Sequence, residues 1–168
     1  MVVADLGLSP WDVFHQGVSL KTEFTIGLVA VATSFTVLLL WIPLRERPGF
    51  GTLANAVVIG LTIDVINRVL DTPGALWAQW LLLVGGMLAV AVGSGYYIGA
   101  KLGPGPRDGL MTGLARRGYS VRFARFGVEG TVLVIGWLLG GTVGIGTLLF
   151  AVGIGPLVQF FLGRTSVK

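Results

Sequence analysis

The chain has 168 residues, 54% of them hydrophobic and 12% charged, with a mean hydropathy of +0.84. Soluble domains carry about 25% charged residues, so this composition excludes an ordinary soluble fold and indicates a membrane protein. The lack of cysteine excludes disulfides and thiolate metal sites, and a single histidine, His15, excludes a multi-histidine centre, so no metal or cofactor is expected. The formal charge of +4 lies in short loops between apolar segments, a pattern of membrane topology rather than of nucleic-acid binding.

In chain order, Met1 to Asp5 has neither a basic region nor an apolar core, which argues against a cleavable signal peptide. Pro10 and Asp12 then suit the start of a short amphipathic helix ending near Leu20. Charge-free windows follow at Phe24 to Leu44, Thr72 to Ala100 and Gly130 to Gly163, of 21, 29 and 34 residues, where roughly 20 suffice to cross a bilayer. The first span is Phe24 to Pro43, and Leu44 to Gly49 is a tight loop. A second span, about Phe50 to Leu70, carries Asn55, Asp64, Asn67 and Arg68. The third, about Leu76 to Ala100, has Trp77 and Trp80 at one end and Tyr96 and Tyr97 at the other, the expected interfacial belts. One helix over the last window would measure about 51 Å, against a hydrocarbon core of about 30 Å. The chain must therefore turn at Gly140-Gly141-Thr142, giving a fourth span of about Val121 to Leu139 and a fifth of about Val143 to Leu162.

Five spans put the termini on opposite sides. With the C-terminus inside, Arg45, Arg47, Lys101, Arg107, Arg116, Arg117, Arg122, Arg125, Arg164 and Lys168 are all cytoplasmic, leaving only Lys21 and Arg68 outside. The expected orientation is N-terminus out and C-terminus in.

The sequence also repeats itself. Leu6-Gly7-x-x-Pro10-x-Asp12 recurs as Leu102-Gly103-x-x-Pro106-x-Asp108, 96 positions on, and Gly17 matches Gly113. Gly49-Phe50-Gly51-Thr52-Leu53 recurs as Gly144-Ile145-Gly146-Thr147-Leu148, 95 positions on, and Gly60 matches Gly155. The expected domains are a first repeat, 1–70, and a second, 76–163, within one membrane domain. The second copy has a leading span that the first lacks, so the expected fold is an all-α polytopic bundle forming an incomplete three-plus-three inverted repeat. The face left bare would be completed by a helix upstream of Met1 or by a homodimer.

Several of these segments together resemble the bacterial YczE-like membrane proteins, related to the YitT group. They are residues 5–12, Arg47 to Thr52, Gly105 to Leu110, Gly140 to Thr147 and Ile154 to Leu157. The resemblance implies a bacterial inner-membrane protein that ordinarily has one more N-terminal helix, and it supplies no active-site residues.

Glu129 is the first candidate for chemistry. It lies 11 residues before Gly140, about 16 Å from that interface and near mid-membrane, where an acid must be paired, protonated or facing a cavity. A plain ion pair with Arg125, one turn away, is the structural alternative. The matched position in the first repeat is Thr33 or Ser34, whose hydroxyls could share a polar midplane site with Glu129. Asp64 has Arg68 at i+4, the spacing of an interfacial pair, and its match is Gln159. Asp12 and Asp108 would cap short half-helices whose N-termini face an anionic ligand, or simply cap surface helices. Gly95, Gly99 and Gly103, like Gly136, Gly140 and Gly144, are spaced by four and would pack on one helix face. No P-loop lysine follows either Gly-x-Gly, and Ser94 has no histidine near it, so an enzyme is not expected. These features favour a small transporter or exporter with an unknown small-molecule substrate; the alternative is a membrane accessory or assembly protein acting through partners.

Overall fold

The computed structural model describes residues 1–100 and 102–165, and among them every regular element is helical. After a short 3-10 turn at Val2–Ala4 come α1 (Pro10–Lys21), α2 (Ile26–Leu44), α3 (Phe50–Val69), α4 (Leu76–Gly99), α5 (Pro106–Ala115), α6 (Val121–Leu138) and α7 (Ile145–Thr165). The charges assigned above to Lys101 and Lys168 lie outside the described residues.

Local chemistry sets the helix starts. Ser9, Thr25 and Ser120 cap α1, α2 and α6 by accepting from the backbone N–H three residues on. Before α3 and α7, the Thr52 and Thr147 hydroxyls accept from the N–H of Gly49 and Gly144, at 3.1 and 3.2 Å. The break after α6 falls where the length argument requires it, with Gly140 at φ 102, a conformation costly for a side-chain-bearing residue.

Four helices are long and apolar enough to cross a membrane: Ile26–Leu44, Phe50–Val69, Leu76–Gly99 and Ile145–Gly163. Helix α6 is 18 residues long but carries Arg122, Arg125 and Glu129. Large apolar side chains, including Phe50, Val69, Leu81, Phe126 and Val152, are exposed along these helices, as lipid contact demands.

At the centre α1 packs on α6 and α2, while α5 packs on α2 and α6; α3 lies against α2, and α4 against α7. The duplicated loops meet crosswise. Gly51 donates its N–H to the Leu102 carbonyl at 3.0 Å, and Gly146, its match, donates to the Leu6 carbonyl at 2.7 Å. Gly7 and Gly103, both at positive φ (112 and 108), lie against Thr147 and Thr52. A Cβ on Gly103 would stand 2.8 Å from the Thr52 hydroxyl, and one on Gly7 would stand 2.9 Å from that of Thr147. Two apolar clusters hold these contacts: Trp11, Val37, Trp41 and Leu110 in the middle, and Ala4, Leu83 and Met87 under the N-terminal turn.

Several expectations are corrected. Gly103 lies beyond the end of α4, and Gly140 and Gly144 lie in the corner, so neither glycine triplet forms one helix face. Gly95 and Gly136 do serve close packing, Gly95 on Phe161 and Gly136 on the backbone of Val13 and Phe14. Tyr96 is exposed as an interfacial residue would be, but Tyr97 turns inward.

Candidate functional site: a charged cavity between the two short helices

Helices α1 and α5 bring the twin Pro-x-Asp motifs together. In the first copy the Ser9 hydroxyl donates to Asp12 Oδ2 at 2.6 Å and accepts from the Asp12 N–H, a closed cap. The second copy has Gly105 in place of Ser9, and a hydroxyl from another helix does the work. Tyr97 Oη, on α4, donates to Asp108 Oδ2 at 2.5 Å and accepts from the Gly105 N–H at 2.7 Å. Both acids thus sit in the first turns of their helices, each held by a hydroxyl, Asp12 by Ser9 and Asp108 by Tyr97. Trp41, on α2, ties the same region down by donating to the Pro106 carbonyl at 3.0 Å.

Between the two motifs lies a cavity of about 150 Å³, bounded by α1, α2, α3, α4, α5, α6 and α7. Its polar lining comprises Ser9, Ser34, Asn55, Ser94, Tyr97, Arg107, Asp108, Arg125 and Glu129. Arg107 and Trp11 occupy matched positions in the two copies, and they touch: the guanidinium carbon lies 4.8 Å from the indole centroid. Arg125 Nε lies 3.2 Å from Glu129 Oε1, so the ion pair considered from the sequence exists, and it lines the cavity. Ser34, matched to Glu129 at an offset of 95, is a buried hydroxyl in the same lining, donating to the Ala30 carbonyl at 2.8 Å. Ser34 lines the cavity and Thr33 is not in its lining.

Asp64 lies elsewhere. It accepts from the Thr25 hydroxyl at 2.6 Å and from the Gly27 N–H at 2.8 Å, clasping α3 to the start of α2. No Asp64–Arg68 ion pair forms among the described residues, because the carboxylate is already taken by α2. Around Gly27 and Gly60 the two helices nearly touch: a Cβ on Gly27 would stand 2.1 Å from the Gly60 carbonyl oxygen. Among the described residues the matched helices α6 and α7 do not pack closely, and a Cβ on Gly155 would meet nothing nearer than Arg125 Nη1, at 4.0 Å. Where Gly27 stands in the first pair, the second has Arg122, exposed at the rim.

His15 is fully buried beneath the Asp12 cap, its Nδ1 3.5 Å from Asp12 Oδ1, between the rings of Trp11 and Phe14. Burial holds its pKa below the usual imidazole value, opposed by Asp12. For Asp12, burial alone would raise the pKa, but the adjacent His15 ring, the Arg107 charge and the Ser9 hydroxyl hold it at about 2. From the sequence alone Arg107 reads as a cytoplasmic loop charge and Tyr97 as part of an interfacial belt. The available signal was the repeat itself, which places a cation and an aromatic at matched positions 107 and 11.

A second feature is a mainly apolar groove of about 710 Å³ between α3 and α4, floored by the N-terminal turn and reaching Asn55, Ser94, Tyr97 and Arg107 at its polar end.

A family model described as a family of unknown function, DUF6198, matches residues 1–163. An uncharacterized protein of Haemophilus influenzae is 42% identical over 163 residues, covering 96% of this chain and 75% of that protein. The uncharacterized membrane protein YczE of Bacillus subtilis is 35% identical over 95% of this chain and 75% of its own length. The uncharacterized protein YyaS of the same organism is 28% identical over 96% of this chain and 83% of its own. No solved structure matches.

Proposed function

Since the chain belongs to the DUF6198 family of unknown function and is a membrane protein, we propose that it is a small transporter or exporter of the bacterial cytoplasmic membrane. In this reading α6 is a fifth span, its three charges facing the cavity or the inner rim rather than lipid. The two copies form an inverted repeat, a reading supported by the crosswise loop contacts. The arginine distribution orients the N-terminus outside and the C-terminus inside. Under that symmetry the α3–α4 groove falls where a leading helix of the first copy would sit against α3, as α4 sits against α7.

The observation that carries the proposal is the unequal pair of seams around a charged cavity. The α2–α3 seam, at the outer end of α2, is shut by Asp64, Thr25 and Gly27. The α6–α7 seam, its counterpart at the inner end, stands open beside Arg125 and Glu129. Two equivalent seams, one closed and one open, are what one state of an alternating-access cycle requires. The opposite state closes the inner seam, over the longer Arg122, and releases the outer clasp.

The natural absence of cysteine makes this testable by cross-linking. The pair Thr25→Cys with Asp64→Cys reports the outer seam, and Ser120→Cys with Gln159→Cys the inner one. A disulfide needs Cα atoms within about 7 Å, so each forms only when its seam shuts. In native membranes under mild oxidation, both pairs should cross-link, and locking the outer pair should prevent the inner one from forming. An inner pair that never cross-links would overturn the proposal. It would favour an accessory protein that uses the broad apolar groove between α3 and α4 for a partner.

A further inference from the structure

Resting on the transporter reading, we propose that the cavity binds a small carboxylate, held by the Arg107 guanidinium. Among the described residues, Arg107 makes no hydrogen bond and no ion pair within 4 Å; its recorded contact is the Trp11 ring. An arginine is always charged and presents five N–H donors, and those of half-buried Arg107 border the cavity and remain available to a ligand acceptor.

The neighbouring acids are already engaged. Asp12 holds Ser9 and the α1 N-terminus, Asp108 holds Tyr97, and Glu129 holds Arg125, so Asp12, Asp108 and Glu129 reach Arg107 only through their field. The guanidinium carbon lies over the Trp11 ring, and Arg107 lines the cavity. A planar guanidinium suits a planar carboxylate, which can accept two parallel bonds. Size sets the rest: about 150 Å³ is roughly five times the share of one water in the liquid, enough for a carboxylate with a short organic body. The lining also offers the Asn55 amide and the Ser94 hydroxyl, with Val90, Phe150 and Ile154 among its apolar groups.

The test is thermal unfolding of the detergent-purified chain with acetate, benzoate or inorganic phosphate at constant ionic strength, with choline as cationic control. A carboxylate should raise the midpoint saturably. Arg107→Lys, which keeps the charge but loses the fork, should weaken the half-saturating concentration about tenfold, and Arg107→Gln should abolish the effect. Arg122→Gln, at the exposed rim, should behave as wild type. Ser94→Leu fills the cavity without touching the Trp11–Arg107 stack and should also abolish the response, so the test stands even where an Arg107 variant folds poorly. Stabilisation by phosphate or choline alone, no response to any carboxylate, or an undiminished response in both Arg107→Gln and Ser94→Leu would overturn the assignment. The seam cross-links separate the two ideas: seams that exchange without carboxylate binding refute the ligand and keep the transporter, while binding without exchange does the reverse.

Discussion

His15 occupies an environment unsuited to its charged form. It is fully buried, neither ring nitrogen has a hydrogen-bond acceptor, and Arg107 adds a repulsive field that Asp12 partly offsets. Its folded pKa therefore lies below the unfolded value of about 6.5, so as pH falls through that value the unfolded chain takes up a proton that the folded chain refuses. The contribution is fully present above about pH 7 and is lost on acidification. The unfolding midpoint should drop between pH 7.5 and pH 5.5, and His15→Gln should flatten that drop. An unchanged pH slope in the variant would count against the buried neutral imidazole. Asp12 titrates far below this window, at about 2, and so does not confuse the reading. At this scale the sequence was a partial guide. It singled out Glu129, Arg125, Asp12 and Asp108, all now found at or beside one cavity, and left Ser34 and Thr33 undecided between neighbouring positions. Arg107 and Tyr97 escaped because their roles depend on partners supplied by other helices, Trp11 from α1 and the Asp108 cap of α5.

Among the elements, the seams depend on glycine. Gly27 and Gly60 let α2 and α3 approach until backbone meets backbone, and a methyl on Gly27 would lie 2.1 Å from a carbonyl that cannot swing aside. Gly27→Ala should therefore part α2 from α3, with a cost of about 1–3 kcal/mol typical of overpacking. Gly155→Ala, at the matched place in the open seam, should be nearly silent. A ranked pair of unfolding midpoints checks this, and equal midpoints would mean that the seams are not distinguished by packing. In the same variant, oxidation of the Thr25→Cys, Asp64→Cys pair should slow. Helix lengths and corners were legible beforehand, since charge-free windows and bilayer thickness limit them, and α2, α3, α4, α6 and α7 begin and end within about three residues of the expected spans. The Asp64–Arg68 spacing misled, because i,i+4 geometry describes one helix in isolation while the carboxylate's stronger partners lay on α2.

For the molecule as a whole, the proposed topology makes opposite loops accessible from opposite sides. Single cysteines at Lys21 and at Asp71 should react with an impermeant maleimide on intact spheroplasts, whereas cysteines at Arg45 and Arg116 should react only after permeabilisation. Labelling of Arg45→Cys and Lys21→Cys from the same side would remove both the orientation and the odd span count. Composition alone determined that this chain lives in a bilayer, because so few charges over 168 residues leave no soluble alternative, and the recurring motifs were readable at offsets of 96 and 95. Only the tertiary structure decided which loops touch, which helix pair is clasped and which arginine meets the Trp11 ring. Periodicity and spacing report forces along one helix, whereas the crosswise bonds of Gly51 to Leu102 and Gly146 to Leu6 and the Trp11–Arg107 contact join residues about 50 to 140 positions apart. Their pairing is set by how whole helices bury one another, a property that no local stretch of sequence contains.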